Sequence, residues 1–368
     1  MKNVGIKNRS LICSITILGL FSLTCGKANG SLESPQVQKK EKNNTSIKEL
    51  LALPLTEKII YSKNADLPDN AIMQGFDMDT EDNIFYSHVT DKYKVRISRG
   101  KPNSAPQDFM TLLYYGHSTN IALEKEKNDN YIWIGNFATR YPNGHYWQEQ
   151  VVSRVKYSPG KTLKNFDAED NYYIGPYKHL SPTVDVENDL LAISYADEKK
   201  RGRNCFVVYK LSEAKALPLS IIRIMELTYG NTAEDADEKI APELQVHDLT
   251  KLKPVARFDI PNTPLSWQGF DVCKNRMYYY DGEGGPNNSI ISGKAYVSVF
   301  DFDGRIIEER TEVKALSSLE TLKEQEITST GYMEAEGIKV RRGFLYLGFG
   351  SSNNGRRCAQ IFKYKLAE

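Results

Sequence analysis

The chain has few of the residues that usually indicate metal or nucleophilic chemistry. It contains five cysteines and five histidines in 368 residues, and their spacing matches no metal-binding motif. It also lacks a glycine-rich phosphate loop, a G-x-S-x-G elbow, an HExxH sequence and paired CxxC sequences. The sequence therefore predicts no metal, nucleotide or redox cofactor.

The chain also lacks an excess of charge of either sign. Its 48 Lys and Arg residues nearly balance 47 Asp and Glu residues, and the two signs are interspersed. A nucleic-acid-binding surface needs clustered Lys and Arg side chains, so we expect no nucleic-acid partner. The 22 tyrosines and 14 phenylalanines that are present suit an all-β globular domain.

The amino terminus has the features of a secretion signal. Three basic residues precede an apolar run from Leu11 to Leu23, which is short for a transmembrane helix. The run ends in Ser-Leu-Thr before Cys25, and this resembles a bacterial lipoprotein signal in which the cysteine thiol is lipidated. Thr24 departs from the usual Gly, Ala or Ser. A plain secretory signal and an uncleaved anchor are the alternatives.

Domain boundaries follow from this signal. Residues 1–24 are predicted to be the signal peptide, and residues 25–54 a polar tether rich in Lys, Asn, Ser and Gly that cannot bury a core. Residues 55–368 are predicted to form one domain, which we expect to be a monomer. We expect an extracytoplasmic location, with the protein anchored to a bacterial membrane through lipid alone.

Five stretches of the chain repeat one pattern of two apolar runs separated by turn residues. They are QGFDMDTEDNIFYSHV from Gln74, STNIALEKEKNDNYIWIGN from Ser118, SPTVDVENDLLAISYAD from Ser181, QGFDVCKNRMYYYDGEG from Gln268 and EAEGIKVRRGFLYLGFG from Glu334. The first run alternates with period two and the second is β-branched or aromatic, which predicts a hairpin in each unit. Because one hairpin cannot bury its own face, the repeats predict a β-propeller.

The number of blades is less constrained by the sequence than the architecture. The first residues of successive units lie between 44 residues (Gln74 to Ser118) and 87 residues (Ser181 to Gln268) apart. A compact four-stranded blade needs about 40 to 45 residues. Five blades with long loops are favoured, and six or seven are the alternative. The excess at 211–254 is expected to hold a strand pair or a short helix outside the ring.

Two further strands are expected in each unit. A third run follows each hairpin, at YKVRISR, VVSRVKYSPG, CFVVYKL, AYVSVFDFDG and AQIFKYKL. A fourth follows in FMTLLYYG, NYYIGP, VARFDIP and RIIEERTEV, but the last unit has none. The run EKIIYS from Glu57 is left over and could supply it. We therefore predict that an N-terminal strand closes the ring, which leaves no exposed sheet edge.

Residues just before each inner strand and just after each second strand should meet at one end of a propeller. This end is rich in amide, hydroxyl, carboxylate and aromatic side chains, which can bind a polyol. We predict ligand contacts from His88, His117, Asn120, Asn136, Tyr195, Asp197, Trp267, Asp281, Glu283, Glu336 and Asn353.

Several of these positions also have a structural interpretation. Gln74, Gln268 and Glu334 are predicted to share one blade position, where a repeated polar residue usually forms a hydrogen-bonded bracket to the neighbouring blade. The histidines come from separate loops, so no metal site is predicted. The carboxylates could include the acid and nucleophile pair of a glycosidase, whose separation a sequence cannot measure.

The repeats resemble those of a known propeller family. MQGFDMDTEDNIFYSHV, LLYYGHSTNIALE, YIWIGNFATRY and VVSRVKYSPG, with the later QGFDV and YVSVFDFDG, are similar to teichoic acid biosynthesis protein C, helveticin-type bacteriocins and receptor-binding proteins of some staphylococcal phages. The resemblance covers roughly residues 70 to 365. It implies a five-bladed propeller and, from the phage members, binding of sugar-decorated cell-wall polymers. It supplies no catalytic residue.

Three functional hypotheses remain after this comparison. The favoured one is a lipid-tethered propeller that binds a glycan or cell-envelope polymer without cleaving it. The alternative is a glycoside hydrolase or lyase, since five-bladed rings also house such enzymes. Those enzymes would need acidic residues at the start of several inner strands, and only Glu334 is acidic among Gln74, Ser118, Ser181, Gln268 and Glu334. The third is a scaffold for another envelope protein.

Overall fold

The computed structural model describes residues 59–140, 145–229, 238–284, 293–313 and 319–366. The predicted signal peptide, the lipidation site at Cys25 and the polar tether lie outside the described residues. Among the residues that are described, no helix is both long enough and apolar enough to cross a membrane.

The described chain forms five sheets that each contain four antiparallel strands, arranged as the five blades of a β-propeller. Both the all-β class and the count of five blades are confirmed. The innermost strands of blades 1 to 5 are Met73–Met78, Ala122–Glu126, Lys178–Asp185, Ser266–Cys273 and Met333–Arg341. The second strands are Ile84–Asp91, Asp129–Asn136, Leu190–Ala196, Arg276–Glu283 and Phe344–Asn353.

The outer half of each blade follows the predicted order. The third strands are Lys94–Gly100, Val151–Lys156, Arg203–Lys210, Lys294–Asp301 and Arg356–Lys365. The fourth strands are Asp108–Leu113, Asp170–Tyr173, Ala256–Pro261, Ile306–Glu312 and, for blade 5, Ile59–Asp66. The strand Ile59–Asp66 runs antiparallel to Arg356–Lys365, with Ile59 opposite Lys363 and Asp66 opposite Cys358. The predicted closure of the ring by an N-terminal strand is thus confirmed.

The long segment between blades 3 and 4 adds structure to blade 2. A helix at Leu211–Ala216 is followed by the strands Leu219–Arg223 and Glu243–Asp248, which pair antiparallel. The second of these runs parallel to Asp170–Tyr173, so blade 2 becomes a six-stranded sheet. The predicted strand pair and short helix are therefore both present.

The remaining elements are short. The strand Thr162–Lys164 pairs parallel with the fourth strand of blade 1. Two small hairpins join Thr139–Arg140 to Tyr146–Trp147 and Leu227–Tyr229 to Glu238–Ile240. The other helical segments are α-helix Leu319–Glu324 and the 3-10 turns Pro68–Asn70, Asn165–Asp167 and Leu249–Lys251.

Apolar side chains fill each interface between adjacent blades. Because successive residues of a strand point to opposite faces, every second and third strand can supply large residues to two interfaces. Each interface holds a buried cluster of such residues. In order from the interface of blades 1 and 2, one pair from each cluster is Phe85 with Ile132, Trp133 with Val207, Phe206 with Tyr279, Tyr280 with Leu347, and Tyr346 with Tyr86. Full burial of one such side chain contributes about 1.5 to 3 kcal/mol, so these interfaces hold the ring together.

A β-bulge interrupts the innermost strands of blades 1, 4 and 5. It falls at Gln74, at Gln268 and at Glu336 with Gly337, so the residue of blade 5 that corresponds to the two glutamines is Glu336. The prediction that Glu334 holds this position is wrong, because the extra residue of the bulge places Glu336, and not Glu334, in register with the two glutamines. Gly337 has φ +99°, and a Cβ there would lie 3.2 Å from Gly75 Cα, so a larger residue would be strained.

Further along the inner strands lies a group of polar and charged side chains that we call the axial ionic cluster. Asp77, Asp271 and Lys339 lie three residues beyond Gln74, Gln268 and Glu336, and Thr183 and Arg341 complete the cluster. The Arg341 guanidinium lies 2.6 Å from Asp77 Oδ2 and 2.7 Å from Asp271 Oδ2. Lys339 Nζ is 3.8 Å from Asp271 Oδ1, and Thr183 donates to the same oxygen. The side chains of both aspartates are fully buried.

These aspartates form the brackets between neighbouring blades. Asp77 accepts the backbone N–H of Leu123 in blade 2 at 2.8 Å, and Asp271 accepts that of Val340 in blade 5 at 2.7 Å. Gln268 instead donates to Gly282 O within its own blade at 3.3 Å. Gln74 does reach the next blade, at 3.5 Å from Glu336 Oε1. The bracketing role predicted for the glutamines is therefore filled mainly by the aspartates.

Candidate functional site

A cavity of about 880 Å³, the axial cavity, opens at the predicted end of the ring. Every blade contributes lining residues, because the starts of inner strands and the ends of second strands converge there. Gln74 comes from blade 1, Glu149 from blade 2, Tyr195 from blade 3, Trp267 from blade 4 and Glu336 from blade 5. The size and the mixture of aromatic and polar groups are typical of a small-molecule or oligosaccharide site.

Five of the eleven predicted contact residues line this cavity, namely His117, Tyr195, Asp197, Trp267 and Glu336. Tyr195 does so with little of its side chain, since it is 5% exposed. Its hydroxyl accepts a hydrogen bond from Arg257 at 2.9 Å, and its ring packs on Tyr177 with centroids 4.4 Å apart. Tyr195 is therefore mainly a core residue beneath the wall of the cavity.

Three predicted residues lie near the cavity in sequence but point into the sheets. The amide of Asn120 donates to Pro182 O at 2.8 Å, which joins blades 2 and 3. The amide of Asn136 donates to Ser153 Oγ at 2.8 Å and to Asn165 O at 3.0 Å. Asp281 is buried and pairs with the Arg310 guanidinium at 2.5 Å. Their polar groups are used inside the fold.

The remaining three predicted residues also lie away from the cavity. His88 is fully buried in the second strand of blade 1, where burial and then the charge of Arg96 lower its pKa to about 3. Glu283 is exposed at the end of the second strand of blade 4. Asn353 is half-buried and donates to Glu326 O at 2.8 Å.

Trp267 offers an aromatic face to the cavity. It is half-buried, lies before the bulge of blade 4 and packs near Phe270 with ring centroids 6.5 Å apart. Its indole Nε1 is buried and has no hydrogen-bond partner among the described residues. A buried indole N–H normally has a partner, so this group is available to a ligand acceptor.

Glu336 lies at the bulge of blade 5 and is only 4% exposed. Its one hydrogen-bond contact among the described residues is the 3.5 Å approach of Gln74 Nε2. Burial, together with the charge of Glu334, raises the pKa of Glu336 well above its ordinary value. Glu334 also lines the cavity, and its carboxylate accepts the hydroxyl of Tyr332.

Glu149 is a lining residue that the sequence analysis missed. It is 7% exposed and accepts the backbone N–H of His117 at 2.8 Å. Burial raises its pKa to about 7, although hydrogen bonds from backbone N–H groups oppose this shift. Gly116 and Gly135 make room for the carboxylate, because a Cβ on either would approach its atoms within 3 Å. Glu149 lies between strands, where no periodic signal exists to identify it.

Trp147 and His117 form one aromatic unit of the cavity wall. Trp147 Nε1 donates to His117 Nδ1 at 2.9 Å, and the two rings meet edge to face at 5.3 Å. Burial and then the charge of His145 lower the pKa of His117 to about 4, so its imidazole is neutral near neutral pH. Trp147 was not among the eleven predicted contact residues, and the structure places it in the wall.

Within the described residues, three Lys and Arg side chains line the cavity, those of Lys200, Arg201 and Arg203. They belong to the hairpin between the second and third strands of blade 3. Lys200 and Arg203 both pair with Asp259, while Arg201 is exposed. No three His, Cys, Asp or Glu side chains in the described ranges are grouped so that they could hold a metal ion.

Comparison with known proteins gives one curated relative and a solved structure of similar fold. Over 318 residues the chain is 23% identical to the Bacillus subtilis (strain 168) protein named "Putative major teichoic acid biosynthesis protein C". The match covers 82% of this chain and 61% of the relative. The resemblance drawn from the repeats is confirmed. No protein-family model matches the chain.

The tail fiber of Staphylococcus aureus phage P68 has a similar fold, with a TM-score of 0.56 and 15% sequence identity. The likeness extends over 86% of this chain and 55% of the tail fiber. At this identity the comparison shows the fold alone. The chain thus corresponds to about three fifths of the length of its curated relative and about half of the phage protein.

Proposed function

We propose that this protein is a cell-envelope lipoprotein whose propeller binds a glycan or cell-surface glycopolymer in the axial cavity without cleaving it. The observation that carries the proposal is the lining of that cavity. Trp147 and Trp267 supply apolar faces on which a sugar ring can stack, and Gln74, Gln268 and Ser181 supply amide and hydroxyl groups for its hydroxyls.

The two relatives support this ligand class. One is named for teichoic acid biosynthesis and is similar to this chain in sequence, and the other is a phage tail fiber of similar fold. We infer that this chain recognises a polymer of the same general kind, namely one built from sugars or polyols and displayed on a cell envelope.

A glycan-array screen of the soluble fragment from about residue 50 tests the proposal. We expect binding of at least one envelope glycan, weakened by substitution of Trp267. Each bound glycan would then be incubated with the protein and analysed for released fragments. Binding without turnover supports the proposal, and the absence of any bound glycan would favour a scaffold instead.

A glycoside hydrolase is the second candidate, and the two buried carboxyl groups favour it. Glu149 and Glu336 line the same cavity, and burial raises the pKa of both. Glycosidases use one protonated and one ionised carboxyl group. Turnover that is lost in both Glu149→Gln and Glu336→Gln would establish this activity, whereas binding that persists without turnover would contradict it.

The proposed anchor depends on one residue outside the described ranges. Cys25→Ser removes the thiol that would carry the lipid, so the protein should move from the membrane fraction to a soluble or unprocessed form. Fractionation and intact mass measure this directly. If neither changes, the protein is not a lipoprotein.

A further inference from the structure

Most of the buried carboxylates elsewhere in the described residues pair with cations. Asp77 and Asp271 share Arg341, and Asp281 pairs with Arg310. Glu124 lies 2.7 Å from Arg154 and 2.5 Å from Lys215. An ionised carboxylate loses its hydration on burial, so a nearby cation is the usual compensation. Carboxyl groups that serve the fold are therefore supplied with a cation or, like that of Asp79, with several short hydrogen bonds from nearby N–H groups.

Glu336 departs from this rule. It is as buried as Glu124, yet within the described ranges it forms no ion pair and only a long amide contact with Gln74. It lines the axial cavity beside Glu334, whose carboxylate is held by the Tyr332 hydroxyl. Because Glu336 lines the cavity, a group that compensates the charge of its ionised form can reach it from there.

The described cations of the cavity wall do not supply that charge. Lys200 and Arg203 already pair with Asp259 on the outer strand of blade 3. Arg201 is exposed on the hairpin at the rim. The nearby histidines His117 and His179 both have a lowered pKa, because burial disfavours the charged imidazolium. The part of the cavity around Glu336 and Glu149, which we call its floor, is consequently acidic and has no fixed cation among the described residues.

Two aromatic groups make the same region suitable for a cationic ligand. Trp147 and Trp267 line the cavity together with Glu336 and Glu149. A cation over an indole face gains attraction from the ring quadrupole, and the gain increases when the cation is removed from water. Carboxylates combined with indole faces favour a ligand ammonium group over a neutral acetamide of similar shape.

We propose that the floor of the axial cavity is a subsite for a protonated amino group on the bound sugar, with Glu336 as the carboxylate that pairs with it. The inference rests on the proposed glycan binding and specifies the chemical class of the glycan as one that carries free amines. On binding, the ligand ammonium pairs with the Glu336 carboxylate, and any proton held by that carboxyl is released to solvent.

The test uses two oligosaccharides that share a backbone and differ in charge. Full-length protein is titrated calorimetrically with a β-1,4-linked glucosamine oligomer and with its fully N-acetylated counterpart, at a pH where the amine is protonated. We expect the amine-bearing oligomer to bind at least about tenfold more tightly. Glu336→Gln keeps the size of the side chain and removes its charge, so it should abolish that preference.

Glu198→Gln is the matched control, because Glu198 also lines the cavity but is exposed at the rim. It should leave the preference intact. Equal binding of both oligomers with loss of both in Trp267→Ala would overturn the amine subsite while the proposed function stands. An unchanged preference in Glu336→Gln would also overturn it. If neither oligomer binds, the subsite is refuted, and a silent glycan array in addition would refute the proposed function.

Discussion

The axial cavity and the axial ionic cluster share three inner strands, yet the polar residues at the two levels have different partners. Blades 1, 4 and 5 place Gln74, Gln268 and Glu336 at the cavity. Three positions further on, the same strands place Asp77, Asp271 and Lys339 in the closed centre of the ring. At the centre the carboxylates are bound by Arg341, whereas at the cavity Glu336 has no cation among the described residues.

This difference separates bracing from recognition. A buried polar group with all its partners inside the fold fixes the geometry of the ring, because losing any partner leaves an uncompensated charge. A buried polar group without such partners reduces stability and is retained for what it can bind. The comparison therefore predicts that substitutions at the two levels change different measured quantities.

The largest effect is expected at the centre. Arg341→Met leaves the carboxylates of Asp77 and Asp271 buried without their shared cation, and should lower the free energy of unfolding by about 3 to 5 kcal/mol. Arg342→Met is the control, because that side chain is exposed and lies 3.4 Å from Asp82 at the surface. Denaturant unfolding should show a change below about 1 kcal/mol for the control. If both variants lose the same free energy of unfolding, the buried ion pairs at the centre do not differ from an exposed ion pair.

The next largest effect is expected at Glu149, where substitution should raise the free energy of unfolding and not lower it. Burial raises its pKa from 4.5 to about 7, so the folded protein binds the proton more tightly than the unfolded chain. Stability should therefore fall as the pH rises through that window. Glu149→Gln cannot lose a proton, and above pH 7 it should be more stable than the wild type by up to about 3 kcal/mol. Below about pH 4.5 the two should agree.

Denaturant midpoints measured from acid to mildly alkaline pH check this prediction. The difference between variant and wild type isolates Glu149 from other titrating groups. Parallel curves for Glu149→Gln and the wild type would show that Glu149 ionises normally in the folded state.

A smaller effect is expected for ligand affinity at Trp267. Trp267→Ala removes a stacking face of the cavity, and an aromatic contact at a binding centre contributes about 2 kcal/mol, so affinity should fall at least roughly tenfold. Phe166→Ala is the control, because Phe166 is an exposed aromatic residue that does not line the cavity. Calorimetry and thermal unfolding measured together separate the effects. If Trp267→Ala lowers stability and leaves affinity intact, Trp267 is a core residue.

The smallest effect is expected at Gln268. Its amide donates one 3.3 Å hydrogen bond to Gly282 O, so Gln268→Ala should lower the free energy of unfolding by about 1 kcal/mol. Affinity should change less than in Trp267→Ala. A larger loss of affinity than of stability would place Gln268 with the recognition groups of the cavity.

The fold could be predicted because its signals are local and repeated. Each unit carries its alternation and turn residues within about 20 residues of sequence. The last unit lacked a fourth strand, and the unassigned run at Ile59 could supply it. The bulges were missed because Gln74 and Glu336 differ in type, although the apolar alternation changes phase there, from Met73 to Phe76 and from Ala335 to Ile338. That is why Glu334 was assigned to a position that Glu336 occupies.

The site was predictable only as far as side-chain direction follows strand order. Trp267 and Glu336 lie at the starts of inner strands, and both line the cavity as predicted. Asn136 and Asp281 lie at the ends of second strands, yet hydrogen bonds and an ion pair hold their side chains within the blades. Glu149 reaches the cavity from an irregular segment, so only three-dimensional packing identifies it.

The strand that completes blade 5 also determines when the domain can finish folding. Ile59 pairs with Lys363, about 300 residues later in the chain, so the first strand to leave the ribosome is the last to find its partner. Closing so long a loop adds little free energy beyond that of a shorter one, but it requires the whole domain to be synthesised first. Until then the strand Ile59–Asp66 has no partner and presents open edges to other chains. Aggregation therefore competes with folding for as long as synthesis of the domain takes.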